Sequence, residues 1–132
     1  MTATFKACHR YARMGQLKAK PVMDMVRGMP AGAALDVLKN DNHRASAFIY
    51  KVLASAIANA LQNPDVRPNR LMIEAAYVQQ GPLLAGRLRY RPASMGRAMP
   101  IRKRTCHLHI VVSDPGLSPA QTQTAAAGAQ ES

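Results

Sequence analysis

The stretch from Gly81 to Arg104 constrains this chain more than any other: Gly-Pro-Leu-Leu-Ala-Gly-Arg-Leu-Arg-Tyr-Arg-Pro-Ala-Ser-Met-Gly-Arg-Ala-Met-Pro-Ile-Arg-Lys-Arg. Its cations are Arg87, Arg89, Arg91, Arg97, Arg102, Lys103 and Arg104, and it contains no acid, so it carries +7 of the chain's net +11. Three prolines, three glycines and singly scattered apolar residues cannot build a packed core. Yet 24 residues are too many for an ordinary connection inside a small domain. Such a segment is either a solvated, disordered loop or a functional one that orders on its partner.

The flanks favour function. Before the stretch, Leu71, Ile73, Ala75 and Tyr77 alternate with Met72, Glu74, Ala76 and Val78; after it, Cys106, Leu108, Ile110 and Val112 alternate with Thr105, His107, His109 and Val111. Period-two patterns on both sides predict two strands joined by a protruding hairpin. If each arm takes half the stretch, the tip reaches roughly 40 Å at about 3.3 Å per residue. Arg87, Arg89 and Arg91 at spacing two line one face of the outgoing arm, with Leu88 and Tyr90 on the other. Guanidinium groups in a row suit phosphates, which arginine grips bidentately.

Elsewhere the signals are those of one modest domain of 132 residues. Thr4 to Ala12 reads as a strand, with Phe5, Ala7, His9 and Tyr11 on one face and Lys6, Cys8, Arg10 and Ala12 on the other. Gly15 to Arg27 reads as a helix stopped by Gly28, with Val22, Met25, Val26 and Met29 facing inward; Pro21 allows a start near Lys20 or a place in the first turn. Pro30 opens a short second helix with Ala34, Val37 and Leu38 inward, ending at Lys39-Asn40-Asp41-Asn42, where Asn42 can cap the third helix. His43 to Gln62 is the strongest helix, its stripe made of Ala45, Phe48, Ile49, Val52, Ala56, Ile57, Ala60 and Leu61. Asp65 to Asn69 is a polar loop. From Pro115 to Ser132 the sequence is low in complexity and reads as a disordered tail.

Net +11 in so short a chain calls for a polyanionic partner, with nucleic acid first and an anionic membrane surface second. A lipid-surface binder needs a basic amphipathic helix, and the best helix here is alanine-rich. No run is long enough to span a bilayer and the N-terminus lacks a secretion signal, so a cytosolic protein is expected. Cys8 and Cys106 form no disulfide framework and are expected as small buried residues. Cys106 and His107, adjacent on a strand, point to opposite faces and suit neither one metal ion nor a nucleophile–base pair. The seven acids are scattered over helix ends, loops and tail, and no phosphate-cradling glycine loop or serine elbow is present. Neither an enzyme nor a cofactor is expected. A basic arm with Pro92 near its tip also fits a DNA-architectural protein that wedges into a minor groove.

Gly81-Pro82, Arg91-Pro92-Ala93, Gly96-Arg97-Ala98, and Ile101-Arg102-Lys103-Arg104-Thr105-Cys106-His107 running into Ile110-Val111-Val112-Ser113-Asp114 carry a resemblance to a known family. They resemble the bacterial large-subunit ribosomal protein whose hairpin lines the peptide exit tunnel, the L-twenty-two family. Lys18 through Val26-Arg27-Gly28, Ala34 to Leu38, and Lys51 to Ala60 fit it in the same order. The hairpin departs from the family pattern in being a few residues longer, with its first basic pair displaced to Arg87 and Arg89.

The resemblance implies an α+β body over residues 1–114: a three-stranded antiparallel sheet packed against about three helices, with a hairpin extension at about 79–105 and the tail at 115–132. It implies large-subunit ribosomal RNA, neighbouring ribosomal proteins and the nascent peptide as partners, with no membrane and no homo-oligomer. Arg91, Arg97, Arg102, Lys103, Arg104, Lys18 and Arg27 carry over as RNA contacts. Arg87, Arg89, Lys20, Arg10 and Arg13 complete the candidate set, and Arg91, Pro92, Ala93, Ser94, Met95 and Gly96 form the expected tunnel-wall tip.

Overall fold

A computed structural model describes residues 3–116, so the expected tail lies outside the described residues except for Pro115 and Gly116. Strands β1 (Ala3–Ala12), β2 (Met72–Leu83) and β5 (Arg104–Asp114) form an antiparallel sheet in the order β1-β5-β2. Helices α1 (Gln16–Val26) and α3 (Arg44–Leu61) pack on it, and α2 (Ala31–Asn40) packs on α3. Strands β3 (Arg89–Pro92) and β4 (Ala98–Ile101) form a second ladder in the outer hairpin. The class is therefore α+β, a helix-backed sheet with a projecting ribbon.

The central strand explains the core. Cys106, Leu108, Ile110 and Val112 are fully buried under the helices, each aliphatic one contributing about 1.5–3 kcal/mol. Ala45, Ile49, Val52, Leu53, Ala56 and Ala60 of α3 meet them. Leu53 belongs to this stripe and Leu61, 46 % exposed, does not. At 3.6 residues per turn Leu61 falls about 120° from the stripe's centre. The same geometry buries Ala19 and Met23 of α1 in place of the expected Met25, which lies about 110° off the stripe.

The alternation expected of the flanking strands fails at two bulges in the body, and β2 bulges a further time at the hairpin root, between Gln80↔Cys106 and Leu83↔Arg104. Glu74 is an extra residue between the pairs Ile73↔Val112 and Ala75↔Val111. Beyond it, Ala76 and Val78 take the core side, and Tyr77 turns outward to pair with His109. In β1 the register slips between His9↔Leu108 and Ala12↔Cys106, with Tyr11 at φ 58°. Tyr11 thereby leaves the side of Phe5, Ala7 and His9, where Ala12 is now buried, and lies half-exposed against His107. A bulky side chain in that left-handed region costs on the order of 1–3 kcal/mol. Cys8 is exposed on the side opposite the helices, contrary to expectation, because it pairs with the outward His109.

Edge strand β2 does not present bare carbonyls. Gly28, at φ 78°, ends α1 and lays the linker along β2: its N–H donates to the Ile73 carbonyl (3.0 Å), and the Ala31 N–H donates to Leu71 (2.9 Å). Further along, the Arg27 guanidinium donates to Ala76 (2.6 Å) and the Gln16 amide to Val78 (3.3 Å). Such cover blocks pairing with other strands. Helix α1 begins at Gln16 with Pro21 inside it, beyond the first turn. At the start of α3, Asp41 rather than Asn42 serves the cap region, accepting from the Ser46 hydroxyl and from His43. Those bonds, Ser46 first, hold the Asp41 carboxyl below its ordinary range.

Candidate nucleic-acid interface

The hairpin is a continuation of the two strands that carry the core. β2 and β5 stay paired as far as Leu83↔Arg104, well past Ala12↔Cys106, where β1 stops. From Thr105 to the apex at Met95 the returning arm spans at most about 33 Å, at about 3.3 Å per residue. This is shorter than two even arms would give, because the outgoing arm is the longer one. It has five residues between Leu83 and Arg89, where the returning arm has two between Ile101 and Arg104.

The surplus is folded into a turn at Leu84–Gly86, where Ala85 and Gly86 have φ of 59° and 68°. The Leu84 N–H donates to the Lys103 carbonyl (2.8 Å), holding the kink against the returning arm. The apex repeats the device at Ser94–Gly96, where Met95 and Gly96 have φ of 58° and 68°. There the Ala93 N–H donates to the Arg97 carbonyl (2.8 Å). Met95 is 95 % exposed, so the apex of the hairpin presents an uncovered thioether. Of the expected tip residues, Ala93 to Gly96 form the reversal, whereas Arg91 and Pro92 belong to β3.

Between the two turns the ribbon has unlike faces. The pairs Arg89↔Ile101 and Arg91↔Met99 share one side; Tyr90↔Pro100 and Pro92↔Ala98 share the other. Arg87 is extended (φ −136°, ψ 152°) just before this ladder. All seven hairpin cations are exposed, and none makes an ion pair among the described residues. Residues two apart on a strand lie roughly 7 Å from one another. That is inside a Debye length of about 8 Å at physiological salt, so the repulsion along the ribbon is only partly screened.

Where hairpin meets body, Arg102, Lys103 and Arg104 face Arg13 and Lys18 across a cleft of about 390 Å³. Leu84 and Thr105 complete its wall. Two adjoining hollows share Gly15 and Lys18; one adds His43 and Arg44, the other Gln80 and Arg104. Five cations from three chain segments thus converge at the hairpin's root. Concave, cationic and without acids, the cleft is shaped for a phosphate backbone. Two close contacts keep it in place. The Thr105 hydroxyl donates to the Pro82 carbonyl. Gly81 lies so near Thr105 that an added Cβ would stand 2.6 Å from Oγ1.

The other candidate residues disperse. Arg27 is occupied, bonded to Ala76 and paired with Asp24 at 2.8 Å. Arg10 lies over the Tyr11 ring, 5.5 Å from its centroid, and Lys20 is exposed on α1 and does not line the cleft. His43 and Arg44 were not expected. Their signal was a basic residue opening a helix, against the macrodipole, which hints at an external anion. Cys106 faces the core and His107 the opposite side, and no cluster of metal-binding side chains occurs among the described residues. No described helix is long and apolar enough to cross a membrane.

Comparison with known proteins gives two findings. The sequence pattern of a family described as ribosomal protein L22p/L17e matches residues 7–113. The large ribosomal subunit protein uL22 of Halothermothrix orenii is 46 % identical over 109 residues, covering 83 % of this chain and 94 % of that protein.

Proposed function

This chain belongs to the ribosomal protein L22p/L17e family, and we infer that it is a structural constituent of the large ribosomal subunit, bound to ribosomal RNA through its hairpin and the hairpin's root. The observation that carries this is the convergence of Arg13, Lys18, Arg102, Lys103 and Arg104 on one acid-free cleft. Phosphates supply the missing counter-charge, and the ribbon's close backbone turns let it run between RNA segments. Arg87, Arg89, Arg91 and Arg97 extend the same contact towards the tip. In this reading the protein supports subunit assembly by bridging RNA segments, and it resides in the cytoplasm with the ribosome. Ala93 to Gly96 form part of the peptide tunnel wall, where nascent chains pass, and neighbouring ribosomal proteins meet the body.

The test is binding to a large-subunit RNA fragment at several salt concentrations. Each phosphate contact contributes about 0.7–0.9 to the slope of log K against log salt. Replacing Arg102, Lys103 and Arg104 by alanine should flatten the slope by about two to three units. An unchanged slope, or recovery of the tagged protein as a DNA-bound dimer rather than with large subunits on a gradient, overturns the reading.

A further inference from the structure

Among the described residues, helices cover one face of the sheet, and the other face is where the bulges at Glu74 and Tyr11 send their tyrosines. The Glu74 bulge brings Tyr77 onto His109, rings stacked at 4.9 Å and 11°. The bulge ahead of Ala12 brings Tyr11 onto His107, rings edge-on at 4.8 Å and 89°. Two irregularities on different strands thus have one outcome, an aromatic pair on each side of β5 facing outward. Tyr77 is 43 % exposed and Tyr11 54 %. The arrangement fills no core, since Ala76 and Ala12 take the buried places instead.

We propose that the free face of the β1-β5-β2 sheet is a stacking platform for unpaired RNA bases, with Tyr77–His109 and Tyr11–His107 offering ring surface and Arg10 and Lys6 meeting the flanking phosphates. This rests on the RNA-binding reading above but concerns a different surface and a different chemistry. A base needs an exposed ring to lie against and is indifferent to sequence in that respect. The cations are in place: Arg10 sits 5.5 Å from the Tyr11 ring, and Lys6 is exposed one row from Cys8 and His109. Glu74 is the only acid on these three strands before the buried Asp114, and it lies in the bulge at the end of β2 remote from the hairpin.

The histidines suit bases better than phosphates. His107 accepts the Tyr11 N–H at Nδ1 (3.0 Å). Burial, then the charges of His107 and Arg10, push the His109 pKa down, so its ring stacks uncharged. The platform shares β2 and β5 with the hairpin, and these strands stay paired from Tyr77↔His109 to Leu83↔Arg104 across a bulge between Gln80 and Leu83.

The test uses the full chain and a short single-stranded RNA carrying 2-aminopurine, whose fluorescence falls when it stacks on an aromatic ring. Wild type should quench the probe, and a fully paired duplex of the same sequence should not. Tyr77→Leu should lower affinity about 10- to 100-fold and abolish most of the quenching, whereas Tyr77→Phe should keep both. Tyr11→Leu gives the same readout on the other pair, should either leucine variant melt early. Alanines at Arg102, Lys103 and Arg104 should weaken binding and its salt dependence while leaving quenching at saturation. If both leucine variants bind and quench as wild type does, the platform is refuted and the root cleft is untouched. If the leucine variants fail but the triple alanine variant binds normally, the platform stands and the root cleft falls. Capture of another ribosomal protein by this face, with no quenching by RNA, also overturns it.

Discussion

At the scale of single residues, the hairpin root depends on an absent side chain. Gly81 leaves room for Thr105 to cross from β5 and bond the Pro82 carbonyl, and a methyl group there meets Oγ1 at 2.6 Å and the Thr105 backbone at 3.2 Å. Gly81→Ala should lower stability by about 1–3 kcal/mol, as overpacking does. Adding Thr105→Ala should restore only part of this, because the backbone contact remains; full recovery in denaturant melts counts against the explanation. His109 supplies a second residue-level test. Tyr77, Cys8, His107 and Arg10 surround it, and its pKa is depressed below the ordinary 6.5. Between the depressed value and 6.5 the unfolded chain takes up a proton that the folded one refuses. Its contribution is therefore complete above 6.5 and declines as pH falls through that value towards the folded pKa. His109→Gln should show a smaller drop in Tm than wild type between about pH 7 and pH 5.5; equal drops would clear His109 of any part.

At the scale of elements, period and punctuation gave every helix and strand of the body within a few residues, and the failures are informative. Pro21 shows why a boundary can mislead: it removes only the bond to the Leu17 carbonyl, and Leu17 is 83 % exposed, so water can take that place. Pro21→Ala should raise stability by about 1 kcal/mol, well short of the ~3 kcal/mol of a buried helix interior, because proline also restricts the unfolded chain. A loss of stability in thermal melts would show that Pro21 instead sets the angle of α1 beside the cleft. The bulges were illegible for another reason. Leu71 to Val78 alternates acceptably in either phase, since Ala75 and Ala76 are interchangeable on size. Only the fit of Ile73 and Val78 to the same helices selects the inserted Glu74, and that is a tertiary decision. The kink at Ala85 was hidden likewise, since alanine carries no mark of a positive φ.

For the whole molecule, charge location was legible while charge geometry was not. The run of cations from Arg87 to Arg104 stood out because acids are missing from it. That Arg13 and Lys18 would join its last three across a cleft, while Arg27, on the surface, bonds the β2 edge, depended on how α1 is anchored. The consequence is a protein whose net +11 works against its own compact state and for its partner. Salt must therefore move the two properties in opposite directions. Raising ionic strength from about 0.05 M to 0.3 M shortens the Debye length from roughly 14 Å to 6 Å, below the roughly 7 Å spacing of same-face arginines. The free protein should then melt at a higher temperature, while affinity for the RNA fragment falls. With five phosphate contacts at the root the slope would be about −3.5 to −4.5, a loss of roughly three orders of magnitude over that range. Neutralising Arg102, Lys103 and Arg104 should raise the low-salt Tm and shrink both salt effects together. If the variant instead melts earlier at low salt, those cations are held by contacts of the free fold, and the root is a structural brace rather than a waiting site.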